Sequence, residues 1–314
     1  MTIITTEHRV ASGRAGLSVL LKNKCGGATA APVLFVHGAT YPSTATFDYP
    51  VDGVSWMDHL AASGRDVWCI DLLGYGGSDR PPEMAQPAAD NPPIVDTAEA
   101  VAEVKRAIAF ILATRNVERL DLIGYSWGTA IGGQVAGECA SQLRRLVLAG
   151  ALWLPKGPMQ ITSDGPLGAY RLVTAAASCS RWTVGLDAAQ RAAIGSEQSR
   201  ADWARTAVAS DPEAARHTPP LLRAPAGVVK DVMEYWLRGA PTYDPARIQC
   251  PTLVVVGEWD QETTPEQGRA VFEGLTAAAT RRLVVISAAT HLMLLERQRH
   301  QLYATVDAFL TGSG

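Results

Sequence analysis

At 314 residues and 47% hydrophobic content, the chain can bury a full core, and its length suits one large α/β domain carrying an insertion better than two independent domains. Charged residues make up 19% and the formal net charge is -3, which excludes both the basic footprint of a nucleic-acid binder and the high charge of a disordered chain. Cys25, Cys69, Cys139, Cys179 and Cys250 stand singly with no C-x-x-C pair, an arrangement that argues against a zinc site or a disulfide framework and suits a reducing compartment.

The N-terminus lacks the basic start and apolar run of a secretory signal, and no later segment approaches the length of a membrane span. The expectation is a cytoplasmic protein acting on a small molecule, without nucleic-acid or membrane partners. Neither a metal nor an organic cofactor is implied, and a homodimer is compatible with the composition.

Taken in order, residues 16–22 read as an early strand and 25–32 as a turn of small residues. Val33–Val36 is a run of four apolar residues, a strand buried on both faces, and ends in His37-Gly38-Ala39-Thr40. Helical spacing over 53–63 is followed by a strand at 66–72 and by the loop Gly74-Tyr75-Gly76-Gly77-Ser78-Asp79. That loop lacks the Lys-Ser/Thr ending of a P-loop and the spacing of a dinucleotide fingerprint, and reads as a plain turn. Residues 81–93 form a proline- and alanine-rich surface loop. A long helix over 96–114 follows, with Asp96 or Thr97 as N-cap and Val101, Val104, Ile108 and Ile111 on its apolar stripe.

The stretch 120–133 reads as a short buried strand turning into a helix through Gly124-Tyr125-Ser126-Trp127-Gly128. This is the G-x-S-x-G pattern of a nucleophile elbow, in which flanking glycines let a tight backbone push the serine hydroxyl out above the sheet edge. Another buried strand covers 145–149. From 152 to 245 the strand-like runs vanish, so this region is expected to be an inserted helical cap on a core formed by 1–151 and 246–314. Strand pattern resumes at 252–256 and ends in Gly257-Glu258-Trp259-Asp260, with a helix opening near Pro265. A last strand at 282–286 leads through Ser287-Ala288-Ala289-Thr290-His291 to a final helix from about 296 to 310.

Strands alternating with helices imply a mostly parallel sheet covered on both faces, with ligands binding at the carboxyl ends of the strands. Four loops at that end carry His37 to Thr40, Tyr125 to Trp127, Trp259-Asp260 and His291. A serine at its free pKa needs a base, and the base needs an orienting acid. His291 follows a core strand, unlike His8, His59, His217 and His300, and Asp260 is favoured over Glu258 and Glu262 as the acid. Their chain order, Ser126 then Asp260 then His291, fits this sheet. Oxyanion donors are expected at the backbone N–H of Trp127 and of Ala39. Thr40, Tyr125, Trp153, Trp182 and Trp259 are candidate substrate contacts, His37 is expected to shape its loop, and Asp71 reads as a structural turn residue.

With these motifs in place, His37-Gly38, Asp71 with its glycine loop, Gly124 to Gly128, Gly257 to Asp260 and Thr290-His291, the chain resembles an α/β-hydrolase with a helical cap over nearly its whole length. The resemblance implies a serine esterase that is acylated at Ser126 and deacylated by water activated by His291. A serine at 126 disfavours the aspartate-nucleophile branches, and His37-Gly38-Ala39-Thr40 differs from the glycine-rich loop of proline iminopeptidases. Carbon–carbon bond hydrolases of ring-cleavage pathways, and amidases or lactonases, stand second. A non-catalytic ligand-binding protein on the same scaffold is a third reading. The layout is also similar to that of bacterial hydrolases of phthalate monoesters, whose free carboxylate one of Arg171, Arg181, Arg191 or Arg205 would bind.

Overall fold

The computed structural model describes residues 2–27, 30–155 and 159–312, so that residues 28 and 29 of the expected turn and 156–158 of the expected cap lie outside the described residues. The core opens with β1 (Ile4–Ala11), β2 (Ser18–Cys25) and β3 (Val33–Val36), then α1 (Ser43–Thr46), α2 (Trp56–Ala62) and β4 (Asp66–Asp71). It continues through α3 (Thr97–Arg115), β5 (Leu120–Tyr125), α4 (Trp127–Glu138) and β6 (Leu143–Ala149). Between β6 and the next core strand come β7 (Tyr170–Val173), α5 (Ala175–Trp182), α6 (Ala188–Ile194), α7 (Glu197–Ala209), β8 (Leu222–Pro225) and α8 (Gly227–Glu234). The chain closes with β9 (Thr252–Gly257), α9 (Pro265–Gly274), β10 (Arg281–Ile286) and α10 (Arg299–Thr311).

Eight strands form one sheet in the order β1-β2-β4-β3-β5-β6-β9-β10. From β4 to β10 all neighbours are parallel, and β2 alone runs against the rest. The central strands β3, β4, β5 and β9 are buried at every position, because helices cover both faces and leave no polar side for alternation to mark. Two apolar clusters result. Leu34, Leu122, Leu146 and Val254 face α3 and α4, whereas Phe35, Ile123, Val147 and Val255 face α2 and α10.

Local chemistry explains where the helices begin. Asp96 caps α3 through a reciprocal box with Glu99, and Ser55 does the same for α2 with Asp58, which starts that helix three residues later than its spacing suggests. Several expectations change. The edge strand β1 is polar and largely exposed, so its pairing with β2 leaves no apolar alternation to read. The loop over 81–93 contains two short 3-10 turns, Pro82–Ala85 and Ala88–Asp90, and buries Met84. The region between β6 and β9 is not free of strands, since β7 and β8 pair as an antiparallel ribbon. The last helix starts at Arg299 rather than near Glu296, whose carboxylate is engaged instead by Trp182 Nε1 at 2.7 Å and the N–H of Thr290 at 2.9 Å.

Candidate functional site

Ser126 is the single residue between β5 and α4, and its backbone sits at φ 55°, ψ −121°. A side chain held there costs about 1–3 kcal/mol and persists only where its surroundings dictate it. They do so by close approach. A Cβ on Gly124 would stand 2.2 Å from the carbonyl oxygen of Gly128, and one on Gly128 would stand 2.2 Å from that of Val36. The two glycines of the motif therefore record the start of α4 pressed onto the ends of β3 and β5.

His291, on the loop after β10, brings Nε2 to 2.9 Å from Ser126 Oγ and Nδ1 to 2.8 Å from Asp260 Oδ2. Asp260 is buried in the turn after β9, and its other oxygen accepts the N–H groups of Glu262 and Thr263 at 2.8 and 2.9 Å. The Thr263 hydroxyl donates to Asp260 Oδ2 at 2.8 Å and lies 3.1 Å from His291 Nδ1. Tyr125 stacks on the imidazole with ring centroids 5.1 Å apart and donates its hydroxyl to the His291 carbonyl at 2.9 Å. Glycine at 150 leaves room for the ring, since a Cβ there would stand 3.2 Å from its Cε1.

Charge accumulates around this imidazole. Burial opposes protonation, but Asp260 and then Glu262, whose carboxylate oxygen is 3.8 Å from Nε2, outweigh it and hold the His291 pKa above 6.5. Glu262 itself is largely buried, which favours its neutral form. Arg181 and His291 overcome that penalty and keep its pKa below the ordinary value. Arg181 grips Glu262 with both arms of its guanidinium, Nε to Oε1 at 2.7 Å and Nη2 to Oε2. His37 is different: burial pushes its pKa down to about 4, and the neutral ring donates from Nδ1 to the Gly38 carbonyl at 2.7 Å while Nε2 accepts the Leu72 N–H at 3.1 Å. It ties the β3 loop to the β4 end. Asp71 accepts the Gly77 N–H at 2.9 Å and shapes the glycine loop.

The alpha/beta hydrolase fold family matches residues 31–298. The chain belongs to the α/β-hydrolase fold family. No curated protein matches it by sequence. Solved structures share the fold at low identity. A thermophilic esterase from Thermogutta terrifontis superposes with a TM-score of 0.61 at 18% identity, covering 98% of this chain and 99% of that one. A serine hydrolase involved in carbazole degradation gives 0.65 at 18%, with the same coverage. The 2-hydroxy-6-oxo-6-phenylhexa-2,4-dienoate hydrolase from Rhodococcus sp. strain RHA1 gives 0.61 at 18%, again covering 98% and 99%.

In this α/β-hydrolase-fold chain two small cavities meet at Ser126, each of about 20 Å³, room for roughly one water. Ala39, Ser126, Arg181 and Glu262 border both, so the Arg181–Glu262 pair stands as a partition. One cavity is walled mainly by apolar Leu152, Met159, Ile161, Val228 and Val232, and the other by Tyr41, Tyr125, Ser178 and His291. Trp127 lines the first.

Three expected substrate contacts, Trp153, Trp182 and Trp259, are not among the residues that border these two cavities. Trp153 packs edge-on against Tyr243, Trp182 donates to Glu296 and packs against Trp203, and Trp259 packs against the apolar cluster under α10. Trp182 is buried, and Trp153 and Trp259 are half-buried against the core. Thr40 is close to the site, but its hydroxyl is taken by Arg171 and Arg181. Arg191 and Arg205 are exposed, and Arg205 pairs with Asp202. Reasoning from the sequence misses Thr263, places Glu262 only as a rival acid, and does not find Met159, Ile161, Val228 or Val232. Among the described residues no cluster of three or more His, Cys, Asp or Glu could hold a metal ion, and no helix is long and apolar enough to cross a membrane.

Proposed function

We propose that this chain is a serine hydrolase of carboxylic esters working through an acyl-enzyme on Ser126, His291 and Asp260. The observation that carries the reading is the hydrogen-bonded line from Ser126 Oγ through the imidazole to Asp260, built on a strained strand-to-helix turn. In this mechanism Ser126 Oγ attacks the ester carbonyl carbon while His291 Nε2 takes its proton. Asp260 fixes the Nδ1–H tautomer and, with Glu262, stabilises the imidazolium. The oxyanion rests on the N–H of Trp127, at the positive end of α4, and on that of Ala39. Collapse breaks the ester bond, and the alcohol departs with the proton from Nε2. Water, deprotonated by the same nitrogen, then attacks the acyl carbon, and Ser126 regains its proton as the acid leaves.

Residues 152–245 act as a cap in this reading, since they supply Met159, Ile161, Arg181, Val228 and Val232 to the space over Ser126. The apolar cavity suits an alkyl or aryl group. Arg181, released from Glu262, is the counter-charge for a substrate carboxylate, which makes a monoalkyl phthalate one ester of the right chemistry. The five unpaired cysteines suit a reducing cytoplasm.

Ser126→Ala should lower turnover of p-nitrophenyl esters by about five to six orders of magnitude while leaving the circular dichroism unchanged. Retained hydrolysis by that variant defeats the reading. A parallel rate comparison on neutral esters, monoalkyl phthalates, anilides and ring-cleavage diketones separates ester from amide and carbon–carbon bond hydrolysis.

A further inference from the structure

Thr40 adopts φ 80°, in the left-handed region that a β-branched residue rarely enters. The residue before it is Ala39, whose N–H is an oxyanion donor in the proposed mechanism. Locally the Tyr41 N–H closes the turn around Thr40 by donating to the Ala39 carbonyl at 3.0 Å, and the Thr40 side chain is held from more than a hundred residues away. Thr40 is fully buried, and its Oγ1 accepts hydrogen bonds from Arg171 Nη2 and, at 3.4 Å, from Arg181 Nη1.

The two arginines differ. Arg181 has Glu262 as its counter-ion, whereas Arg171 has no carboxylate partner among the described residues, and its Nε is buried without an acceptor. Burial first, and then the neighbouring charge of Arg181, bring the Arg171 pKa down to about 10. A guanidinium placed this way is costly, and among the described residues its one side-chain acceptor is the Thr40 hydroxyl. The lining of the two cavities includes Arg181 but not Arg171. Arg171 also sits on a fixed support. It lies in β7, which pairs with β8, and the residue leading into β7 is tied to the core by Ala169 N–H to the Ala88 carbonyl at 2.9 Å and Ile94 N–H to the Ala169 carbonyl at 3.4 Å.

We propose that Arg171 is a positioning residue for the oxyanion site: by hydrogen bonding to the Thr40 hydroxyl it locks the strained Ala39–Thr40 backbone and so aims the Ala39 N–H at the oxygen where negative charge develops. This rests on the serine-hydrolase reading above. The charge of Arg171 is spent on a backbone conformation and not on the substrate.

The test uses Thr40→Val, which keeps the branched shape and removes the acceptor, Thr40→Ser, which keeps the acceptor, and Arg171→Met. Each is assayed on a neutral ester and on a monoester with a free carboxylate, and for affinity toward a boronic acid that mimics the tetrahedral intermediate. Thr40→Val and Arg171→Met should each lower kcat by roughly tenfold to a hundredfold on both esters, with KM little moved and boronate affinity falling in parallel. Thr40→Ser should restore most of the rate, and the double variant should lose no more than the worse single one. If Arg171→Met fails to fold, the Thr40→Val and Thr40→Ser pair decides. Unchanged kcat on the neutral ester in the variants that fold overturns the proposal. So does a loss confined to KM for the carboxylate-bearing ester, which would make Arg171 a substrate contact. Turnover surviving in Ser126→Ala defeats the underlying reading instead, so the two failures are distinct.

Discussion

Glu262 holds a carboxylate oxygen 3.8 Å from His291 Nε2, the ring nitrogen that faces Ser126. The imidazole therefore lies between two acids, Asp260 on the Nδ1 side and Glu262 on the Nε2 side.

A base must be neutral to accept a proton. Because the His291 pKa lies above 6.5 in the folded chain, the ring stays charged to a higher pH than a free imidazole, and under the proposed mechanism activity should rise only as pH climbs through that raised value. Glu262→Gln removes one of the charges that raise it and leaves the positive charge of Arg181 unpaired nearby. Both changes move the acidic limb of the kcat/KM profile to lower pH. A limb that stays in place would show that the field of Glu262 is not felt at the base.

Asp260→Asn keeps the shape of the acid but not its charge, and it leaves His291 free to take the wrong tautomer. The expected loss in kcat is about 10⁴ on a p-nitrophenyl ester. Thr263→Val removes the hydroxyl donated to Asp260 but spares its two backbone donors, so the loss should be far smaller. Equal losses in the two variants would contradict this ranking.

Gly128 of the elbow and Gly38 of the loop after β3 separate fold from activity. Gly128→Ala sets a methyl 2.2 Å from a backbone oxygen that cannot move aside, and should destabilise the chain by about 3 kcal/mol in urea unfolding. Gly38→Ala meets the Ser126 side chain at 2.8 Å. Its larger effect should appear in kcat, read on the same preparation.

Glu103 is buried where α3 meets the β4 loop, accepting the Leu73 N–H at 3.0 Å and the Ser12 hydroxyl at 3.1 Å. Burial lifts its pKa from 4.5 to about 7. The folded state thus binds this proton more tightly than the unfolded state does. The associated stability is fully present below pH 4.5 and is lost as pH rises through 7. Glu103→Gln should therefore gain stability over the parent, on the order of 1–3 kcal/mol, at pH 8 and little at pH 4.5, as measured by urea unfolding at both.

Much of the core was legible because burial on both faces writes itself into composition. Val33–Val36 and Thr252–Gly257 are apolar nearly throughout, and Asp96 with Glu99 announces the start of α3. Elements whose pattern is weak were not legible. The edge strand β1 has one solvated face and charged residues on it, and β7 with β8 are four-residue strands that exist only as each other's partner. The start of α10 was misplaced because Glu296 is a good helix former whose carboxylate is claimed by Trp182 and Thr290.

By itself, the sequence determined the alternation of buried strands with helices, and with it which loops end at the carboxyl edge of the sheet and which reactive side chains they carry. Periodicity and glycine placement are local properties, so a single chain displays them. Only the tertiary structure decided what shares the space over Ser126: the ring of His291 from 165 residues away, the Arg181–Glu262 partition, and the grip of Arg171 on Thr40 across 131 residues. Contacts of that range are set by how the segment between β6 and β9 packs onto the sheet, and no local pattern encodes the neighbour a side chain meets there.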